Sequence, residues 1–132
     1  MEINAINPES MMQPRGYSQV IAVSGPHKTI YIGGQNAVDK EGKLVGKGDL
    51  AAQTEQVLSN IEKALSAFNC TFSNVVKWTI YLVSGSDPAI GFAAFQKRFG
   101  VILNPPVITV VFVAGLGSPE FLLEIDAIAV AE

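Results

Sequence analysis

Apolar residues recur along this chain at two different periods, and the changes of period mark its elements. "YSQVIAV" (17–23) alternates as a strand does, and "TIYIGGQNAV" (29–38) alternates again after the turn "SGPHK". Residues 1–16 hold two prolines and little periodicity, so they read as an irregular lead-in. "DKEGK" reads as a hairpin loop that leads to a short strand near Leu44 and Val45. The period then lengthens. Leu50, Val57, Leu58, Ile61, Leu65 and Phe68 share one face of an amphipathic helix of about five turns, with Asp49 placed as its N-cap.

"NVVKWTIYLV" (74–83) returns to alternation. Val76, Trp78, Ile80 and Leu82 fall on one face, and Lys77, Thr79 and Tyr81 on the other. Asp87-Pro88 predicts a helix start and Gly100 its end, with Phe92, Phe95 and Phe99 as an aromatic stripe between. "PVITVVFV" (106–113) and "EFLLEIDAIAV" (120–130), separated by "AGLGSP", predict a closing antiparallel hairpin. The order β-β-(β)-α-β-α-β-β predicts an α+β fold: a two-layer sandwich of a mixed six-stranded sheet with two helices on one face.

Such a sandwich leaves the other sheet face bare. In the last strand that face carries Leu122, Glu124, Asp126, Ile128 and Val130, while Phe121, Leu123, Ile125, Ala127 and Ala129 point the opposite way. Two carboxylates thus sit in a strand otherwise built for burial. They are either a solvated or backbone-bonded pair on a rim, or a carboxylate held in a partly dry cleft between subunits and used for general acid/base work. The bare face is too apolar for water and calls for a partner chain.

Composition points the same way. Hydrophobic residues make up 48% and charged residues 16%, an apolar excess for a small domain, which suggests burial in an oligomer. The 132 residues suit one domain, 1–132, large enough to do without a disulfide or metal staple. A net charge of −3 offers no footprint for nucleic acid. The N-terminal segment lacks the basic and apolar regions of a signal peptide, and the apolar run "PPVITVVFVAGL" is too short to span a bilayer. These features predict a cytoplasmic protein that binds neither membrane nor nucleic acid.

Few motifs survive inspection. "GKLVGKG" (42–48) approaches a phosphate loop, but its glycine spacing is one residue short and no Ser or Thr follows the lysine. His27 is the sole histidine and lies in a Gly-Pro turn, so neither a His-based triad nor a metal site has its partners. Cys70 has no basic neighbour in sequence and reads as structural, and Asn69-Cys70-Thr71 as a chance sequon. Phe92 is a core residue of the stripe or lines a pocket. Gly33-Gly34 either ends a strand in a bulge or lets backbone approach a ligand.

"PRGYSQVIAVSG", "YIGGQNAV", "NPPVITVVFVAGL" and "EIDAIAV", in this order, resemble the YjgF/RidA family of reactive-intermediate deaminases, also known as endoribonuclease L-PSP. The resemblance implies a chorismate-mutase-like fold and a homotrimer with a ligand cleft at each subunit interface. It implies, for deaminating members, hydrolysis of an enamine or imine to a 2-keto acid and ammonia, without metal or organic cofactor. By the same resemblance Tyr17 and Gly34 are substrate-binding, and Glu124 positions the attacking water.

Other positions depart from the pattern. Ile108 stands where deaminating members carry an arginine that grips the substrate carboxylate. Val110 replaces a cysteine, Gly33 a serine and Phe92 an asparagine. Loss of such a bidentate pair costs about 2–5 kcal/mol. Weak or no activity on 2-aminoacrylate-type imines follows, in a more apolar cleft whose polar groups are Tyr17, Thr109 and Glu124. Lys97 and Arg98, near the end of the second helix, are the cations that could reach across a subunit boundary, and Asp126 is a second acid. Three readings stand: a divergent imine or enamine deaminase, a non-catalytic small-molecule binder or holdase-type stress protein, and an RNA-cleaving enzyme, which the acidic composition disfavours.

Overall fold

The computed structural model describes residues 1–100 and 102–132. Its strands are β1 (Glu2–Ile6), β2 (Val20–Ser24), β3 (Lys28–Gln35), β4 (Val75–Val83), β5 (Val107–Val113) and β6 (Leu123–Ala131). Its helices are α1 (Leu50–Ser66) and α2 (Pro88–Phe99), with a 3₁₀ turn at Phe72–Asn74. The six strands hydrogen-bond as an antiparallel β1-β2 ribbon and a mixed sheet in the order β3-β6-β4-β5. Both helices pack on one face of the mixed sheet, which gives the α+β sandwich.

The helix boundaries follow the capping residues. Asp49 accepts the Ala52 N–H at 3.0 Å, and Asp87 accepts the Ala89 N–H at 3.0 Å with Pro88 opening α2. Val57, Leu58, Ile61 and Leu65 of α1 are fully buried against Ile30, Ile32, Ile125 and Ala129 of the sheet. Phe68 lies beyond the end of α1 and is exposed, so it is not part of that face. Phe95 and Phe99 of α2 stack edge-on against Trp78, with ring centroids 5.4 and 5.6 Å away.

Four expectations are corrected. The lead-in contains β1, which pairs along its whole length with β2. The short strand at Leu44 and Val45 is reduced to a single bridge between Val38 and Leu44. A bulge in β4 shifts the pairing, so Val75 joins the core in place of Val76. The last two strands do not form a hairpin. β5 runs parallel to β4 at the sheet edge, and β6 inserts between β4 and β3, antiparallel to both. The strand–helix–strand run from β4 through α2 to β5 is a parallel crossover, which places β5 outside β4 and leaves the β5–β6 connection to pass over the sheet end.

That connection is tied down by Gln53 of α1, which is fully buried. Its amide donates to the carbonyls of Gly46 and Glu120, both at 3.1 Å, and accepts the Leu122 N–H at 2.9 Å. One side chain thereby fixes the entry to β6. Gln53→Leu keeps the volume and orphans these three backbone groups. We expect a loss of about 2–4 kcal/mol, read as a lower urea midpoint with an unchanged slope.

Candidate functional site

β6 alternates as expected. Leu123, Ile125, Ala127 and Ala129 are buried under the helices, while Glu124, Asp126 and Ile128 lie half-buried on the outer face. Across that face Glu124 pairs with Tyr81, which pairs with Val111, and Asp126 pairs with Thr79, which pairs with Thr109. Thr109 is therefore on the outer face, in the Asp126 row.

Glu124 lies against β3 at the Gly33-Gly34 step. Between Ile32 and Gln35, β3 advances three residues while β6 advances two, so the glycines form a bulge. They also admit a close approach. A Cβ on Gly34 would overlap Glu124 Oε2 and fall 2.7 Å from its Cδ, whereas a Cβ on Gly33 would meet nothing within 4 Å. The bulge reading of the glycine pair thus holds, and the space beside Gly34 is taken by the Glu124 side chain of the same chain. Asn36 completes the cradle. Its Nδ2 donates to Glu124 Oε1 at 3.3 Å and to the Leu123 carbonyl at 3.2 Å. Its own carbonyl accepts from Asn60 of α1 at 3.1 Å. Sequence reasoning missed Asn36. The available signal was its place immediately after a bulge that leans on the glutamate.

A separate cleft lies on the other sheet face. A cleft of about 700 Å³ opens between the loop before β2, the α2 stripe and β5. Tyr17, Phe92 and Ile108 all line it, together with Phe95, Phe99, Val110, Asn7, Gln96 and Arg15. Ile108 pairs with the core residue Trp78, which fixes its direction toward the helices. Phe92 is 44% exposed, a wall of the cleft and not a core residue. Tyr17 precedes β2 in a loop anchored by Ser18, whose N–H donates to the Pro106 carbonyl at 3.1 Å and whose hydroxyl donates to that of Pro105. This anchor explains why β2 starts at Val20 and not at Tyr17.

Within one chain, then, Tyr17, Phe92 and Ile108 come together, and Glu124 with Gly34 and Asn36 forms a separate cluster behind the sheet. Arg98 belongs to neither. It bridges α2 to α1 through Glu55 at 3.0 Å and Glu62 at 3.2 Å. Lys97 is exposed and does not line the cleft. His27 is exposed, and Cys70 is buried with its thiol on the Phe68 carbonyl. A second void of about 20 Å³ between α2 and the sheet has room for about one water and an apolar lining broken only by Thr54. Among the described residues no group of three His, Cys, Asp or Glu side chains could hold a metal ion, and no helix is long and apolar enough to cross a membrane.

Two helices on one face of a mixed sheet, with the other face uncovered, is the architecture of the chorismate-mutase-like α+β proteins. Residues 8–131 match the model of the Endoribonuclease L-PSP family, and the chain belongs to this YjgF/RidA family. It is 36% identical to a RutC family protein of Pyrococcus horikoshii over 126 residues, 94% of each chain. It is 33% identical over 114 residues to the 2-iminobutanoate/2-iminopropanoate deaminase of Rattus norvegicus, covering 86% of this chain and 79% of the rat enzyme. Among solved structures, a Rid-family protein of unknown function from Yersinia pestis superposes with a TM-score of 0.83 at 36% identity, over 99% of this chain and 100% of that one.

The Gly34 contact gives a direct test. In Gly34→Ala the new methyl group displaces the end of a flexible Glu124 side chain and no backbone. We expect stability to change by no more than about 1 kcal/mol, while a crystal structure of the variant shows the carboxylate turned away from Asn36. A carboxylate that keeps its place would remove the argument for close approach.

Proposed function

We propose that this chain is a divergent deaminase of imines or enamines, working as a homotrimer in which one copy's Glu124 cluster faces another copy's cleft. The observation that carries this reading is the split site. One chain holds a cradled carboxylate on the outer sheet face and an apolar cleft on the inner face, with the sheet between them. Three things support assembly: the edge position of β5, the exposure of Tyr31 at 78%, and the exposure of Val111 and Phe112. The imine deaminase relative supports the chemistry.

In this mechanism Glu124 accepts a proton from water as the oxygen bonds to the imine carbon. The proton passes to nitrogen and gives a carbinolamine; its hydroxyl then yields the second proton through Glu124 to nitrogen as the C=O bond forms, the C–N bond breaks, and a keto product and ammonia leave. Asn36 holds the carboxylate in one orientation and Gly34 gives it room. The mechanism uses no cofactor. Ile108 leaves the cleft wall without a charged group on the strand, so 2-aminoacrylate-type substrates bind weakly. One observation favours a non-catalytic binder instead: among the described residues, the cleft within a single chain has no ionisable group apart from Arg15 and Tyr17.

Ammonia release from the imine that a dehydratase forms from serine separates the two. The parent should be weak, and Ile108→Arg should gain on the order of 30-fold or more. Glu124→Gln in that background should lose on the order of 100-fold, with light scattering still giving three times the 14.0 kDa chain mass. Unchanged turnover in Glu124→Gln would refute the water-positioning role. A parent that is monomeric at micromolar concentration would refute the shared site.

A further inference from the structure

We propose that Arg15 is the anion-reading group of the cleft, and that the cleft takes an amphipathic carboxylate: one carboxyl group on a bulky aliphatic or aromatic body. This deepens the proposed function and rests on its assignment of the cleft as the ligand site.

The cleft's walls are Phe92, Phe95, Phe99 and Ile108, and its volume suits one small molecule. Among the described residues that line it, Arg15 is the only charged one. Among the described residues its guanidinium forms no salt bridge, whereas Arg98 is held by two glutamates. The loop that carries Arg15 is fixed at both ends. Ser18 binds the Pro105-Pro106 segment, and the Gln19 N–H donates to Asn7 Oδ1 at 2.8 Å while its side-chain amide donates to the Met12 carbonyl at 2.8 Å. Gly16, at φ +80, supplies the left-handed turn between Arg15 and Tyr17. A free guanidinium on an anchored loop, beside an apolar wall and with no acid to compete, matches a carboxylate by two parallel hydrogen bonds. The apolar wall selects the rest of the molecule. A short acid would satisfy Arg15 alone and leave the phenylalanines wet.

The test is calorimetric binding of 3-phenylpropionate, its neutral amide and propionate to the intact chain. The aromatic acid should bind saturably, and the amide and propionate each on the order of 10- to 100-fold more weakly. Arg15→Met should bring the acid down to the amide's affinity and leave the amide unchanged, and Arg15→Lys should restore part of the difference. Equal affinity for acid and amide in the parent, an Arg15→Met variant that binds the acid normally, or no binding of either at millimolar concentration would each overturn the inference. The deamination reading is judged separately. A chain that binds the acid but releases no ammonia from any imine keeps the anion site and loses the enzyme.

Discussion

β6 is hydrogen-bonded on both sides, to β3 and to β4, so its register admits little freedom. A slip of one residue would send Leu123, Ile125, Ala127 and Ala129 to the outer face and bring two carboxylates under the helices. Exposing four buried apolar side chains and burying a pair of acids makes that alternative far costlier than any local gain. The same constraint fixes Glu124 outward and, through the paired strands, fixes Ile108 inward beside Trp78. The separation of the Glu124 cluster from the cleft is thus a consequence of strand alternation and of core packing. It holds whatever the chain's function.

Much of this was legible in the sequence. Asp49, Asp87-Pro88 and Gly100 mark helix ends through groups that act within one turn, and the alternation in 123–131 reads directly. What failed was non-local. The apolar runs of β5 and β6 look like a hairpin, because nothing in either run records that β4 lies between them. The pattern of β4, α2 and β5 did carry that information, since parallel neighbours need a long crossover. β1 was missed because its partner β2 follows a long excursion and its own residues are mostly exposed. Val76 was misplaced because a bulge changes the phase of alternation without changing composition.

The site was legible in pieces. Glu124, Tyr17 and Ile108 emerged from resemblance; Tyr17 and Ile108 line the cleft, and Glu124 lies on the outer sheet face against Gly34. Thr109 alternates with Ile108 and shares the outer face with Glu124 and Asp126. Asn36 and Arg15 were missed for a common reason. Each acts through a loop or bulge that brings it near a distant element, and no periodicity reports such a meeting.

Ile108 and Arg15 bear on one another physically. A guanidinium on an inner strand face must be desolvated among phenylalanines, a cost that a bound carboxylate offsets only while it is present. A guanidinium on the rim stays hydrated in the empty cleft, and isoleucine then packs against the core at no electrostatic cost. The rim position weakens each hydrogen bond by leaving it partly exposed to solvent. It also lengthens the reach between the anion and the apolar wall, so that a small ligand cannot satisfy both. Moving the charge from strand to loop would therefore trade affinity for small imino acids against selectivity for larger ones, on an otherwise unchanged scaffold.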